Sequence, residues 1–223
     1  MTLQELINAV MLKATGKPTI LDRNNTKWEK IRGIANYYQN AWLNEPGQHW
    51  NSRYERARQI GTISNTDEYS LDDDIMEIST AKGDNIYVLT NEEEKIPFQL
   101  VNYNDLKNYP TGNYCARLGQ SLVFNSRFAD DDPCYGGKLF APVYTSLEEL
   151  EGPDDDVLVD NPEWLVTMTA AEYIRNDIVK QNQYGNLIAE ANNLMTAMIR
   201  NNRAGQVRHV RGGWRNGGGL NYD

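Results

Sequence analysis

The amino-acid sequence predicts an α+β protein in which helices from both ends of the chain form one helical bundle, with a β-rich insertion between them and a flexible C-terminal tail. Three observations support this fold class. Apolar residues recur with helical spacing near both ends, short apolar runs separated by turn-forming residues fill the middle, and helical spacing stops well before the last residue. The predicted domains are residues 1–55 and 148–202 for the bundle, 56–147 for the insertion and 203–223 for the tail.

Two helices are predicted in the N-terminal part. In the first, Thr2 and Glu5 have capping-box spacing, and Gly16 followed by Pro18 is a stop signal. The second runs from about residue 25 to 44 and ends before Pro46. Their apolar stripes are Leu3, Leu6, Ile7, Val10 and Met11 in the first helix and Trp28, Ile31, Ala35, Tyr38 and Trp42 in the second.

The middle of the chain is predicted to be β-structure, because its short apolar runs are separated by Gly, Asn and Asp clusters. Residues 82–85 and 118–121 are predicted to be hairpin turns, and residues 138–144 the last strand. The acidic residues 148–156 are predicted to form a linker or an exposed loop.

Helix returns after Asn161 and Pro162, a capping residue followed by a first-turn proline. The apolar face of this third helix is predicted to be Trp164, Met168, Ala171, Ile174 and Ile178. A fourth helix has the clearest period, with Tyr184, Leu187, Ile188, Ala191, Leu194, Met195 and Met198. The periodicity stops after Asn202, and the Gly/Arg-rich remainder is predicted to stay disordered until it meets a partner.

Composition describes an ordinary folded protein of 223 residues, 40% hydrophobic and 24% charged. Cys115 and Cys134 belong to no C-x-x-C pair, so free thiols in a reducing compartment are expected. No apolar run approaches the ~20 residues needed to span a membrane, and the N-terminus lacks the basic region of a signal peptide. We therefore expect a protein that is made and used in the cytoplasm, without a membrane partner.

Charge is distributed unevenly along the chain. The formal net charge of −9 argues against a general nucleic-acid binder, which needs a basic face. From residue 203 onward, however, the chain carries Arg203, Arg208, Arg211 and Arg215 against Asp223 alone. An acidic body with a basic tail is typical of an interaction tail.

Acidic triplets at residues 72–74, 130–132 and 154–156 are the first candidates for chemistry. They suggest a site for a hard metal ion, but none has the spacing of a calcium-binding loop, so solvated loops are the favoured interpretation and no metal site is predicted. Glu93, Glu94 and Lys95 resemble part of a nuclease site, yet they lie in a turn context with no partner carboxylate identifiable from spacing.

Nucleophilic and nucleotide-dependent catalysis are not supported by the sequence. His49 lies in a predicted loop and His209 in the tail, and these are the chain's two histidines. No G-x-S-x-G, P-loop or G-x-G-x-x-G motif occurs. No catalytic residue and no cofactor is therefore predicted.

A series of segments occurs in a characteristic order up to Asn202. It consists of Trp28 and Ile31, Trp42 and Trp50, residues 69–75 (YSLDDDI), 139–144 (LFAPVY), 154–156 leading into 162–165 (PEWL), 170–175 (AAEYIR) and 189–191 (AEA). In this order the segments resemble the head–tail connector, or adaptor, proteins of tailed bacteriophages. Residues 69–75 are similar to the family's "Y-x-L-P-x-D" at the start of a strand, with Asp72 in place of its proline.

The resemblance implies a structural, non-enzymatic subunit of the virion neck that is assembled in the host cytoplasm. Such subunits form a ring with neighbouring copies, usually of twelve, that docks beneath the portal protein and above tail or nozzle proteins. The ring surrounds the DNA channel, and an acidic lumen would let DNA pass without specific binding.

The resemblance also implies that the C-terminal extension lies against the portal. Trp214 is the natural apolar anchor there, although it could instead stack on a base, and the arginines can form charge-assisted bonds to a partner. The candidate portal-binding residues are Arg203, Arg208, Arg211, Trp214, Arg215, Leu220 and Tyr222.

Two other classes of function stay open. A tail-side module could bind a host receptor or glycan through the Tyr-rich β region, which would require an exposed aromatic platform. A metal-dependent nuclease could use the aspartate triplets, which would require converging carboxylates.

Overall fold

The computed structural model of the protein describes residues 1–81 and 83–212, with side chains described as far as Arg203. This part of the chain is a mixed α/β structure with five α-helices and one eight-stranded sheet. The helices are α1 (Leu3–Thr15), α2 (Thr26–Leu43), α3 (Tyr103–Leu106), α4 (Pro162–Ile174) and α5 (Gln181–Gly212). The strands are β1 (Tyr54–Thr62), β2 (Glu68–Ser70), β3 (Ile75–Ile78), β4 (Ile86–Leu89), β5 (Lys95–Leu100), β6 (Tyr114–Leu118), β7 (Ser121–Phe124) and β8 (Lys138–Thr145).

The chain divides into two compact units. The helical unit comprises Met1–Ser52 and the chain from Leu147 onward, and it contains α1, α2, α4 and α5. The β unit is the continuous segment Arg53–Ser146, and it contains the eight strands and α3. Among the described residues, no helix combines the length and the apolar character needed to cross a membrane.

Helix boundaries in the N-terminal part follow the predicted signals. The hydroxyl of Thr2 accepts from the backbone N–H of Glu5, and the Glu5 carboxylate accepts from the backbone N–H of Thr2, so the predicted capping box is confirmed. Gly16, at φ 72°, ends α1 in the left-handed conformation that glycine adopts without steric cost. Asn25 caps α2 by accepting from the backbone N–H of Lys27.

The helical unit has one core to which α1, α2, α4 and α5 all contribute. The predicted stripes of α1 and α2 lie in it, with Tyr38 only partly buried. Asn161 caps α4 and Pro162 occupies its first turn, as predicted. One prediction on α4 is wrong: the helix ends at Ile174, and Ile178 lies beyond it in a 3-10 turn with 87% of its surface exposed.

The sheet has the strand order β1-β8-β4-β5-β6-β7-β2, and β3 pairs with β8 outside this path. The pairing of β5 with β6 is parallel, whereas the other pairs are antiparallel. Alternate side chains of the strands form the core of the β unit, because successive residues of a strand point to opposite faces. The central strands β8 and β4 supply Leu139, Ala141, Val143, Ile86 and Val88 to this core.

The two predicted hairpin turns have different outcomes. Residues 118–121 join β6 and β7, which pair antiparallel with Gly119 at φ 60°, so this hairpin is confirmed. Residues 82–85 do not join a hairpin, because β3 and β4 each pair with β8 instead of with each other. β1 pairs along one edge of β8, and β3 and β4 pair with different parts of its other edge. Sequence spacing alone does not reveal that arrangement. The predicted last strand is confirmed as β8.

The acidic segment 148–156 lies outside the helices and strands and most of its residues are exposed, as predicted for an exposed loop, but it is also held against the helical core. Leu150 is buried in the helical core with 2% of its surface exposed. The Asn36 amide donates to the carbonyl of Leu150 and accepts from its N–H, at 3.0 and 2.9 Å, and Gln39 donates to the carbonyl of Glu148. These backbone bonds fix the segment, while Glu148, Glu149 and Glu151 remain exposed.

Candidate partner-binding surface at the C-terminal helix

Helix α5 is the longest described element, and it contains three of the predicted binding residues, Arg203, Arg208 and Arg211. It has 32 residues, about 48 Å at 1.5 Å per residue. Its side chains in the helical core are Leu187, Ala191 and Met198, with Tyr184, Ile188, Leu194, Met195 and Ile199 partly buried beside them. This stripe is the predicted one, and α4 is the helix against which it packs most extensively.

Near its first turns, α5 is held by Lys13 of α1. The Lys13 ammonium donates to the carboxylates of Glu163 and Glu190 and to the hydroxyl of Thr167, the last two at 2.8 and 2.7 Å. Partial burial lowers the pKa of Lys13, but the hydrogen bonds to the two carboxylates outweigh it and leave the pKa above its usual value. One charged group thus joins α1, α4 and α5.

The last carbonyls of α1 are also covered from this side. Lys180 donates to the carbonyl of Ala14 at 2.9 Å, and the Gln183 amide donates to the carbonyl of Lys13 at 2.8 Å. These side chains satisfy carbonyls that the helix itself leaves without partners. The start of α5 is therefore fixed to the end of α1 as well as to α4.

Asn202 makes a second set of contacts that hold α5 in place, at the end of its row of buried apolar side chains. Only 5% of this side chain is exposed. Its amide oxygen accepts from the backbone N–H of Asn51, its amide nitrogen donates to the carbonyl of His49, and its carbonyl accepts from the Asn51 side chain, all at 2.9–3.0 Å. A buried amide with these partners holds the helix in one position along segment 49–51.

Segment 49–51 is itself anchored by tryptophans. The rings of Trp42 and Trp50 stack with centroids 4.6 Å apart at 22°, and the Trp50 indole donates to the carbonyl of Trp42 at 2.7 Å. Both side chains are buried. The segment that binds the Asn202 side chain is thus held in place by packed aromatic side chains.

Beyond Asn202 the helix continues to Gly212, so the prediction of an unstructured chain is wrong for residues 203–212, and its remainder, residues 213–223, lies outside the described residues. That prediction rested on the loss of apolar periodicity. A helix needs such a stripe only where it packs, and the Arg, Ala and Gln residues of this stretch favour helix by themselves. The continuation past Asn202 spans about 15 Å.

The structure describes the predicted binding residues to different extents. Arg203 follows Asn202 directly and is exposed. Arg208 and Arg211 lie on the helical continuation, of which only the backbone is described. Trp214, Arg215, Leu220 and Tyr222 lie outside the described residues. The structure thus places the first of these residues on a fixed helix and leaves their binding role a prediction.

Sequence reasoning missed Lys13 and Asn202, although both carried a signal. Asn202 continues the four-residue spacing of the buried stripe after Met198, so a polar side chain stands where an apolar one is expected. Lys13 lies in the last turn of a largely apolar helix, where a cation is common, and its partners are 150 and 177 positions away. Contacts at that separation are not visible in a single sequence.

The acidic triplets are each engaged by the protein itself. Arg58 donates to Asp72 and Asp74 at 3.1 Å, as well as to Glu55. Asp132 accepts from the backbone N–H of Cys134, and Asp155 accepts from the N–H groups of Gly152 and Glu151, which lowers the Asp155 pKa. Among residues 1–81 and 83–203, no three His, Cys, Asp or Glu side chains gather closely enough to hold a metal ion.

The remaining candidates for chemistry occupy structural positions. Glu93 and Glu94 lie in the turn between β4 and β5, and the ammonium of Lys95 lies 4.8 Å from the centroid of the Tyr87 ring. Cys115 and Cys134 are free and buried, and burial raises the pKa of each thiol to about 12. Such thiols are poor nucleophiles at neutral pH.

No protein-family model matches the chain, and no curated protein matches it in sequence.

Proposed function

We propose that this chain is a structural adaptor subunit of a tailed-bacteriophage particle. Copies of it would form a ring between the portal protein and the tail, around the channel through which DNA passes. In this proposal the helices from both ends of the chain act as the bundle of the adaptor family, and the role is structural, without catalysis.

The observation that carries the proposal is the construction of α5. The helix is fixed at Lys13 and again at Asn202, and it then continues to Gly212 with a basic sequence. A helix that continues past its last described core contact is suited to a partner outside the subunit. The order of sequence segments that resembles the adaptor family supports the same partner, the portal ring.

The helical continuation changes how the segment would bind. A preformed helix has already lost much of the conformational freedom that an unstructured tail loses on binding, about 1–2 kcal/mol per residue. Arg208 and Arg211 would then lie about one helical turn apart, with Arg203 about two turns before Arg211, whereas Trp214 and the residues after it add the apolar anchor. Carboxylates and backbone carbonyls on the portal are the expected acceptors for the arginines.

A docking assay with purified, DNA-free portal rings tests the proposal. We expect a chain truncated after Asn202 to lose docking and Trp214→Ala to weaken it, while Trp214→Phe retains most of it. Tyr37→Ala is the matched control, because Tyr37 is an aromatic residue of the helical unit with 67% of its surface exposed. Docking of the truncated chain at full strength would contradict the proposal that this segment binds the portal.

DNA binding by the same segment gives a different result in that assay. If the arginines contacted phosphates, affinity for DNA would fall steeply with salt, and DNA-free portal rings would not retain the chain.

A tail-side module that binds a host receptor is a second candidate, favoured by exposed tyrosines on the β unit. Tyr103 and Tyr109 have 44% and 37% of their surfaces exposed, and the ring of Tyr109 stacks on that of Tyr114 at 4.4 Å. Tyrosine supplies contact area at low entropic cost in many binding loops. Binding of the purified chain to host cells, lost in Tyr103→Ala/Tyr109→Ala while portal docking is absent, would favour this candidate over the adaptor.

A further inference from the structure

The outer face of the sheet in the β unit carries two rows of side chains that cross the strands β8, β4 and β5. The strand register places Lys138, Leu89 and Lys95 side by side in the first row. The second row is Phe140, Tyr87 and Pro97, two residues away on each strand and therefore on the same face.

This face is apolar at its centre and cationic at its rim. The rings of Tyr87 and Phe140 stack with centroids 5.2 Å apart at 18°, and both remain partly exposed. Lys95 and Lys138 are exposed in the neighbouring row, on either side of Leu89. Beside the rows runs a groove of about 560 Å³, lined by Arg56, Asp84, Tyr87, Lys95 and Pro97 among others.

The cations of this face have no carboxylate partner in the described part of the chain. Arg56, Lys95 and Lys138 form no salt bridge with any described carboxylate, unlike Arg58, which binds three. Asp84 is the acidic group of the groove, and it accepts hydrogen bonds from the hydroxyls of Tyr54 and Ser79. On the two rows and in the groove, the described cations Arg56, Lys95 and Lys138 therefore outnumber the carboxylate of Asp84, while Glu92, Glu93 and Glu94 are exposed in the turn that precedes Lys95.

In a ring of identical copies, an acidic surface is the electrostatically favourable partner for this face. Contacts between neighbours in a ring join two different surfaces of the same chain, and placing like charges together costs several kcal/mol. Copies that each carry nine net negative charges repel one another, so a contact at which unlike charges meet favours closure of a ring.

We propose that the outer face of β8, β4 and β5 binds the acidic segment 148–156 of a neighbouring copy. This segment carries Glu148, Glu149 and Glu151, all exposed, and three consecutive aspartates at its end. The inference rests on the proposed ring assembly and names its interface.

Segment 148–156 fits this role better than the other acidic stretches. The aspartates at 72 and 74 are already paired with Arg58. Segment 148–156 is fixed by Asn36 and Gln39, so its carboxylates are presented by a rigid backbone and little entropy is lost on binding. Leu158, 44% exposed just after the segment, can cover the apolar centre of the face.

Charge reversal in the full-length chain tests the interface without portal protein. One variant is Arg56→Glu/Lys95→Glu, which reverses the face, and the other is Glu149→Lys/Glu151→Lys, which reverses the segment. We expect each to weaken self-association, measured by sedimentation velocity at low salt, by tenfold or more. The control Lys27→Glu/Lys107→Glu makes the same change in net charge as the face variant, at exposed positions elsewhere, and should have a much smaller effect.

Mixing the two variants gives the sharpest result. In a one-to-one mixture the reversed face meets the reversed segment and each wild-type surface meets its wild-type counterpart, so association should return to near the wild-type level. Failure of the mixture to associate, with both variants folded by circular dichroism, would overturn the proposed interface. A wild-type chain that stays monomeric at millimolar concentration and low salt would also overturn it. Docking to portal rings is a separate measurement. The adaptor proposal can therefore be supported or contradicted whatever the result for this interface.

Discussion

The helical unit and the β unit differ in how far apart in sequence their interacting parts lie. In the helical unit, Lys13 binds Glu190 across 177 positions, and Asn51 binds Asn202 across 151. The β unit is one continuous segment of chain, and its hairpins join strands that follow each other directly. The helical unit therefore needs both ends of the chain before it can form, whereas the β unit has all its partners within one segment.

The largest expected effect comes from separating the two regions. Residues 53–146 expressed alone should fold, giving a β-type circular dichroism spectrum and a cooperative thermal transition, because the core of the β unit lies within them. Residues 1–52 alone should not fold, because α4 and α5 supply much of the core around α1 and α2. An unfolded 53–146 fragment would show that the β unit depends on the helices.

A core substitution in the helical unit should lower its stability alone. Trp28 is fully buried, and its indole donates to Gln4 at 3.2 Å, so Trp28→Ala should cost about 3–5 kcal/mol in free energy of unfolding. Urea denaturation followed by hydrogen exchange should show loss of protection in the helices and little change in the strands. Tyr37→Ala, at an exposed position of the same helix, should change stability by no more than about 0.5 kcal/mol.

Removing the amide that fixes the end of α5 should have an intermediate effect. Asn202→Ala leaves the backbone N–H of Asn51 and the carbonyl of His49 without their partner, and we expect a loss of about 1–3 kcal/mol. Hydrogen exchange at residues 49–51 should accelerate. Asn193→Ala, on the exposed side of the same helix, is the control that should leave this exchange unchanged.

The Lys13 contacts should contribute less, because the partner carboxylates are about half exposed. After allowance for solvent screening, Lys13→Met should cost on the order of 1 kcal/mol, and Lys17→Met, at an exposed position, should cost less. The folded-state pKa of Lys13 lies above the ordinary 10.5, so its stabilisation is fully present below pH 10.5 and disappears as pH rises through the folded value. The difference in unfolding free energy between wild type and Lys13→Met should therefore shrink in strong alkali. A difference that grows there would contradict this assignment.

The smallest expected effect is in the β unit. Glu93 has φ 63° in the turn between β4 and β5, a conformation that costs a side-chain-bearing residue more than it costs glycine. Glu93→Gly should stabilise the β unit by a few tenths to about 1 kcal/mol. Thermal denaturation of the variant, compared with Glu92→Gly at the neighbouring position, measures this difference.

Local signals in the sequence were enough to predict much of the helical unit. The capping box at Thr2 and Glu5, the glycine at residue 16 and the first-turn proline at 162 act through neighbours three or four residues away, so they can be read without the fold. The β unit was harder, because β8 pairs with β1, β3 and β4, and strand pairing is decided by competition among distant segments.

The candidate surface also combines features that can be read from local sequence with features that depend on contacts between distant segments. The basic character of the C-terminal segment is a property of composition and was found in the sequence. The contacts that fix α5 join positions more than 150 residues apart, and the continuation of the helix to Gly212 lacks the apolar stripe on which the prediction relied. The outer face of the sheet was missed because its register depends on the pairing of β4 with β8.

Electron microscopy of purified portal rings incubated with the full-length chain tests the central claim most directly. The adaptor proposal predicts a second ring beneath the portal, with the helix that follows Asn202 lying against portal subunits. A portal ring without added density, or the chain found at the distal end of the tail in intact particles, would contradict it.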